Sequence, residues 1–197
     1  MKLSINYNVL YTYFLSQLSS FGWKGRFTHV LENNKLIIET DSILSLKDYL
    51  GLAKQSSMSY EKVEQMILHL GNQLIILTEN NLGQLFFSLD DISIVDETFF
   101  IITDVKHVVP MNKKEQLCLN YPLKMDGKDM FLSPELMNVT ALPIVIPITS
   151  TYYSLALLCC RCLGAGAEPH LIKNTKMYFF LLRCLEPDPD ERYFLYI

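Results

Sequence analysis

The sequence predicts an α+β chain, mostly helical, with a small sheet near its start, and three stretches carry the prediction. "MSYEKVEQMILHLGNQLIILTENN" opens on Ser59 as an N-cap and repeats apolar residues at Val63, Met66, Ile67, Leu70, Leu74 and Leu77, which is one helix face. "RFTHVLE" and "KLIIETD" flank Asn33-Asn34 and read as two antiparallel strands around a turn. The most apolar stretch, "ALPIVIPITSTYYSLALLCCRCLGAGA", is interrupted by Pro143, Pro147, a Thr/Ser cluster and Arg161, so it reads as a buried core helix and not as a membrane span.

The other elements follow in chain order. The opening "MKLSINYNVLYTYFLSQLSS" has one early lysine, with tyrosines and serines scattered through its apolar run; it makes a poor signal peptide and reads as an amphipathic segment, helical over 7–19. "SILSLKDYLGLAKQ" reads as a short helix. "SLDDISIVDETFFIITDVK" reads as two β runs joined at Asp96-Glu97-Thr98, with Asp90 and Asp91 before them and Asp104 after them. A loop-rich stretch over 110–128 leads to "DMFLSPELM" and the apolar helix. "TKMYFFLLRCLEPDPDERYFLYI" then predicts a helix, a Pro-rich turn and a terminal segment. There is no internal repeat, low-complexity linker or charge block.

Composition narrows the function classes. A chain of 197 residues, 50% of them hydrophobic, suits one domain. A net charge of −4 and a pI near 5.6 provide no basic footprint for nucleic acid or an anionic membrane, so partners are expected to be proteins. The five cysteines are an odd number, and Cys159, Cys160 and Cys162 lie on different faces of one helical run. They read as buried reduced thiols of an intracellular, reducing compartment, not as zinc ligands. His29, His69, His107 and His170 have no ligand spacing and read as structural or exposed.

Five motifs in this order resemble the protein kinases, chiefly their C-terminal lobe. "KLIIETDSILSLKDYL" is similar to the fifth strand, hinge and following helix, and "MSYEKVEQMILHLGNQLIILTENNLG" to the long helix before the catalytic loop. Ser133-Pro134-Glu135 stands where the family has Ala-Pro-Glu. "TSTYYSLALLCCRCL" resembles the buried hydrophobic helix, and "LLRCLEPDPDERYFL" the closing pattern of Cys-Leu, Asp-Pro and a late arginine. The resemblance covers residue 36 to the end. It implies a kinase-like C-lobe over 46–197 and a severely reduced N-lobe over 1–45, one helix plus a short β-hairpin, packed as one compact unit.

The departures from the family set the functional expectation. The chain begins too late for a glycine-rich loop and a phosphate-binding lysine, and "VLYTYFLSQLSSF" contains no acidic residue to partner such a lysine. Gln84-Leu85-Phe86 stands where His-Arg-Asp is expected, so phenylalanine replaces the proton-accepting aspartate. Ser88 stands at the catalytic lysine and Asp91 at the metal-binding asparagine; Asp104 keeps the Asp-Phe-Gly aspartate, followed by Val105-Lys106. Asp91 and Asp104 either form an oxygen site for Mg²⁺ or Ca²⁺, or cap a turn and a strand end. The second reading is preferred because such magnesium sites borrow ligands from a nucleotide, and no group here would hold one.

Glu135 and Arg192 match the family's buried ion pair, with Arg192 facing solvent beside Glu191 as the alternative. The resemblance therefore implies a pseudokinase without cofactor or metal, acting as a protein-interaction or structural module. Its reduced small lobe is similar to the degenerate kinase-like proteins of large DNA viruses, which implies a building block of the virus particle. The opposing reading is a metal-dependent phosphoryl-transfer enzyme using Asp90, Asp91 and Asp104. Tyr7, Tyr11, Tyr13 and Phe14, on a helix that a full small lobe would cover, are expected to form the interaction face.

Overall fold

The computed structural model describes residues 1–52, 57–122, 129–164 and 172–196. His170 and parts of the stretches over 110–128 and 141–167 lie outside the described residues. Strand β1 (Lys2–Asn6) is followed by helix α1 (Val9–Ser20), then by strands β2 (Arg26–Val30) and β3 (Lys35–Glu39). Asn34 takes the left-handed backbone, φ 50°, that closes the β2–β3 hairpin. The hairpin is as expected; the strand before it is not. "KLSIN" is a β-strand paired antiparallel to β3, so the N-terminal layer is a three-stranded sheet in the order β1-β3-β2. The helix starts only at Val9, behind Asn8, whose side chain accepts the Leu10 N–H.

Strand β4 (Ile43–Ser45) runs directly into α2 (Leu46–Leu52). The long helix α3 (Tyr60–Glu79) begins where Ser59 Oγ accepts the Lys62 N–H, and all six residues of its expected face are buried. Strands β5 (Leu82–Gln84) and β6 (Phe87–Ser88) precede the hairpin of β7 (Ile92–Val95) and β8 (Phe99–Ile102). That hairpin turns on Asp96 and Glu97, at φ 48° and 59°, and β7 also pairs with β4. Strands β9 (Val108–Pro110), β10 (Gln116–Leu119) and β11 (Met130–Phe131) lead to α4 (Pro134–Met137), β12 (Ile144–Pro147), α5 (Thr149–Cys162) and α6 (Lys176–Cys184).

The expectation of a mostly helical chain with a kinase-like C-lobe is corrected by this architecture. The described residues are 42% helical and 25% strand, with six helices and several small antiparallel sheets. The strands that sequence reading missed are short. β10 lies in the stretch taken for loop and pairs with β12, inside the stretch taken for helix. Apart from the five-residue β1, these segments have two to four residues, too brief to display an alternating pattern, and pairing across the fold forms them. No helix among the described residues is long and apolar enough to cross a membrane.

A smaller hydrophobic cluster gathers Leu85, Phe86, Val109, Leu117 and Ile146. The larger one runs from α1 and β3 through α3 and the β7–β8 hairpin to α5 and α6, across the expected boundary at residue 45. Cys159, Cys160, Cys162 and Cys184 are fully buried in it, and burial pushes the Cys162 and Cys184 thiols up to about 12. The sheet β4-β7-β8 ends at β8, and α3 satisfies that edge with side chains. Gln73 Nε2 donates to the Phe100 carbonyl at 2.8 Å, and Gln73 Oε1 accepts the Ile102 N–H at 2.9 Å. His69 Nδ1 accepts the Phe100 N–H at 3.3 Å. At the far end of the hairpin, Asp96 gathers donors from the N-terminal region: Trp23 Nε1 at 2.9 Å, the Asp41 and Ser42 N–H groups at 2.8 and 3.0 Å, and the Thr40 hydroxyl.

The expected interaction face on α1 is also corrected. Tyr11 is 5% exposed and Phe14 wholly buried, while Tyr7 is half-buried with its ring stacked 3.5 Å from that of His29. Tyr11 Oη donates to the Thr103 carbonyl at 2.8 Å, and burial, reinforced by Asp104, pushes its hydroxyl up to about 12. Helix α1 packs on α3 and β8, so its aromatic stripe is core; Val9 and Tyr13 are the large residues that point outward.

Two predictions follow from this packing. Phe14→Ala is expected to cost about 3–5 kcal/mol in denaturant unfolding, and Tyr11→Asp with Phe14→Asp to abolish cooperative unfolding altogether, which circular dichroism reads directly. The second concerns His69, which burial holds down at about 4 from an ordinary value of 6.5. Between those values the unfolded chain binds a proton that the folded chain refuses, so stability is retained above pH 6.5 and falls as pH drops toward 4. His69→Gln is expected to flatten that part of a stability–pH profile measured by urea titration; an unchanged slope would assign the acid sensitivity to other groups.

Candidate functional site

The site expected at the hairpin is built from one turn and one return of the chain. A single 3₁₀ turn, Leu89–Asp91, is closed at its start by a reciprocal pair of side chains: Ser88 Oγ accepts the Asp90 N–H at 3.2 Å, and Asp91 Oδ2 accepts the Ser88 N–H at 2.9 Å. This draws the Asp91 carboxylate fully into the interior. Beyond β8 the chain comes back to it, as the Thr103 and Asp104 N–H groups both donate to the Asp91 carbonyl.

That return brings a basic pair onto the buried carboxylate. His107 Nδ1 lies 2.8 Å from Asp91 Oδ2, and Lys106 Nζ lies 3.3 Å from Asp91 Oδ1. Lys106 Nζ also lies 2.7 Å from Asp104 Oδ2, while Asp104 Oδ1 accepts the Lys106 N–H at 3.0 Å. One ammonium thus sits between the two carboxylates. Burial lowers the Lys106 pKa, but the hydrogen bond to Asp104 and the charges of Asp91 and Asp104 outweigh it and hold the pKa above the ordinary lysine value. The group stays charged at neutral pH.

Asp90 is not part of this arrangement. It pairs with Lys47 at 3.0 Å, and Lys47 also reaches Asp129 at 3.3 Å. The three carboxylates of the expected cluster therefore divide between two lysines. Among the described residues no group of three or more His, Cys, Asp or Glu is placed to hold a metal ion.

The remaining expected positions serve as packing and hydrogen-bond partners. Phe86 is fully buried, with its ring centroid 4.1 Å from that of His107. Leu85 is also buried, and its N–H donates to the His107 carbonyl at 2.9 Å. Gln84 Nε2 donates to the Phe86 carbonyl at 2.7 Å. Helix α5 ties the segment down: Thr151 Oγ1 donates to the Gln84 carbonyl, and Ser154 Oγ accepts the Phe87 N–H at 2.7 Å. Sequence reasoning missed His107. It stands 16 residues from Asp91 with no motif spacing, and only the hairpin joins the two.

Farther along the chain, Arg192 Nη2 lies 2.7 Å from Glu135 Oε1. The guanidinium is wholly buried, so the solvent-facing alternative does not describe it. Arg192 Nε donates to the Glu186 carbonyl at 2.5 Å and Nη2 to the Pro187 carbonyl at 2.8 Å; its plane lies over the Tyr153 ring at 4.7 Å. Glu135 follows the Ser133 N-cap of α4, and Ser150 Oγ donates to its Oε2 at 3.2 Å. Burial raises the Glu135 pKa, but hydrogen bonds from Arg192 and Ser133 outweigh that and hold the carboxyl below its ordinary range.

No protein-family model matches the chain, and no curated protein sequence matches it.

Arg192→Met is expected to cost about 3–5 kcal/mol, because it leaves the Glu135 carboxylate without its partner. Replacing both residues by apolar ones of similar size should recover much of that loss. The comparison is made by chemical denaturation of both single variants and the double variant, and a single-variant loss within about 0.5 kcal/mol would mark the pair as energetically idle.

Proposed function

We propose that the chain is a catalytically inactive module that acts by binding another protein, and that its motif residues make it a degenerate relative of the protein kinases. The observation that carries this reading is the Lys106 ammonium held between Asp91 and Asp104. A divalent ion serving phosphoryl transfer needs carboxylates that turn toward it and toward a phosphate. Here one carboxylate is buried against His107 and both already face a tethered cation. The phenylalanine at the position of the general base supports the same reading, since it is interior and carries no proton acceptor. The resemblance to viral kinase-like proteins adds the setting of this proposal: an intracellular protein incorporated into a virus particle, binding neither nucleotide nor nucleic acid.

The chain is expected to transfer no phosphate, and Phe86→Asp to restore none. Phosphoryl transfer depends on loop, lysine and metals acting together, so one returned carboxylate brings little. That substitution should also destabilise the protein, because the new carboxylate must be desolvated or protonated beside His107. The measurement is γ-phosphate transfer to the chain and to a generic acceptor, with magnesium and with manganese, accompanied by thermal-shift titration with ATP. Stoichiometric labelling that Asp104→Ala removes would replace this reading with metal-dependent phosphoryl transfer at Asp91 and Asp104.

A further inference from the structure

With the α1 stripe internal, the binding surface must lie elsewhere, and a groove along the outer face of α3 has the properties of one. It holds about 320 Å³ between α3, the β9–β10 loop, the start of α5 and the terminal segment, with a smaller groove adjoining on the other side of Phe194. Its apolar floor includes Ile75, a large aliphatic residue left 55% exposed. Its aromatic wall is Tyr152 and Phe194, whose ring centroids lie 5.5 Å apart. Gly71 permits this wall: a Cβ there would stand 2.7 Å from Phe194 Cζ, so any other residue would push the ring off the helix.

Among the described residues the charge of the groove has one sign. Glu79 and Glu115 line it, and none of its described lining residues is cationic. Glu79 is the last residue of α3, a 20-residue helix with no basic residue in its last turn, so the negative end of the helix dipole adds to the carboxylate. Glu115 is held at φ 56°, a left-handed conformation unusual for a non-glycine residue and costing on the order of 1 kcal/mol. Its carbonyl accepts the Ile148 N–H at 3.2 Å, which anchors the backbone while the side chain stays on the groove. Burial raises the Tyr152 hydroxyl pKa, and the Glu115 charge raises it further. Lys113 and Lys114 stand beside Glu115 in the loop but do not line the groove.

We propose that this groove is the docking site for a partner-protein segment that inserts a lysine or arginine between Glu79 and Glu115 and lays apolar neighbours over Ile75 and Phe194. The apolar floor and aromatic wall suit the aliphatic stem of such a side chain, and the two carboxylates with the helix end suit its charged head. This assignment rests on the reading of the chain as a protein-interaction module and names the chemistry of its partner.

The test is selection of a displayed library of random dodecapeptides on the full chain, followed by fluorescence anisotropy with the enriched peptide. The expected result is enrichment of sequences that pair one lysine or arginine with apolar neighbours. Replacing that arginine by citrulline, its neutral isostere, should weaken binding at least about tenfold, as should raising salt from about 0.05 to about 0.5 M. Glu79→Gln with Glu115→Gly should do the same. Because glycine relaxes the left-handed backbone, this variant is expected to keep its thermal midpoint, which separates loss of binding from loss of fold. Peptides without a cation, binding indifferent to the double variant, failure of the library to enrich, or a concentration-dependent dimer abolished by Ile75→Asp would each overturn the proposal. The phosphotransfer assay is independent of the groove, so an active chain defeats the interaction-module reading whatever the peptides do.

Discussion

The open edge of β8 is the constraint on which the rest depends. A strand at the rim of a three-stranded sheet presents N–H and C=O groups that cost about 1–3 kcal/mol each if buried without partners. Among the described residues no further strand covers this one. Gln73 instead offers both halves of an amide, donating to Phe100 and accepting from Ile102, while His69 takes the Phe100 N–H. The long helix thereby acts as the fourth member of the sheet. Its polar residues at these two positions are as necessary to the core as the leucines beside them.

With the hairpin docked on α3, its two ends have little freedom. The turn presents Asp96 to the loop after β3 and to Trp23, which fastens the N-terminal sheet to the rest of the chain. At the other end the chain leaves β8 directly over Asp91, so the Asp104 N–H meets the Asp91 carbonyl while Lys106 and His107 fall on its carboxylate. A buried carboxylate needs compensation, and here the protein supplies it from within. Internal compensation is what separates this constellation from a metal centre: the positive charge is covalently part of the chain and close to both acids.

The C-terminal segment is held by comparable means. Arg192 ties it to α4 through Glu135 and to the turn before it through two carbonyls, and Tyr196 Oη donates to Glu64 on α3 at 2.8 Å. Phe194 lies between these anchors, against Gly71. The groove beside it is therefore bordered on this side by a segment that an ion pair and hydrogen bonds fasten to α3 and α4.

The amino-acid sequence by itself determined the elements whose signals are local. Ser59 and the six apolar positions behind it define α3, Asn33-Asn34 marks the first hairpin, and Asp96-Glu97 marks the second; each signal lies within one continuous stretch of chain. It also paired Glu135 with Arg192, through the kinase resemblance and not through any spacing. The tertiary structure alone decided the short strands β1 and β10 to β12, the burial of Tyr11 and Phe14, and the gathering of Lys106 and His107 onto Asp91. A strand of two to five residues is stabilised by its neighbour more than by its own pattern, and an aromatic stripe reads alike whether it meets solvent or another helix. Lys106 and His107, 15 and 16 residues from Asp91, become its partners only after the hairpin between them has found its place on α3.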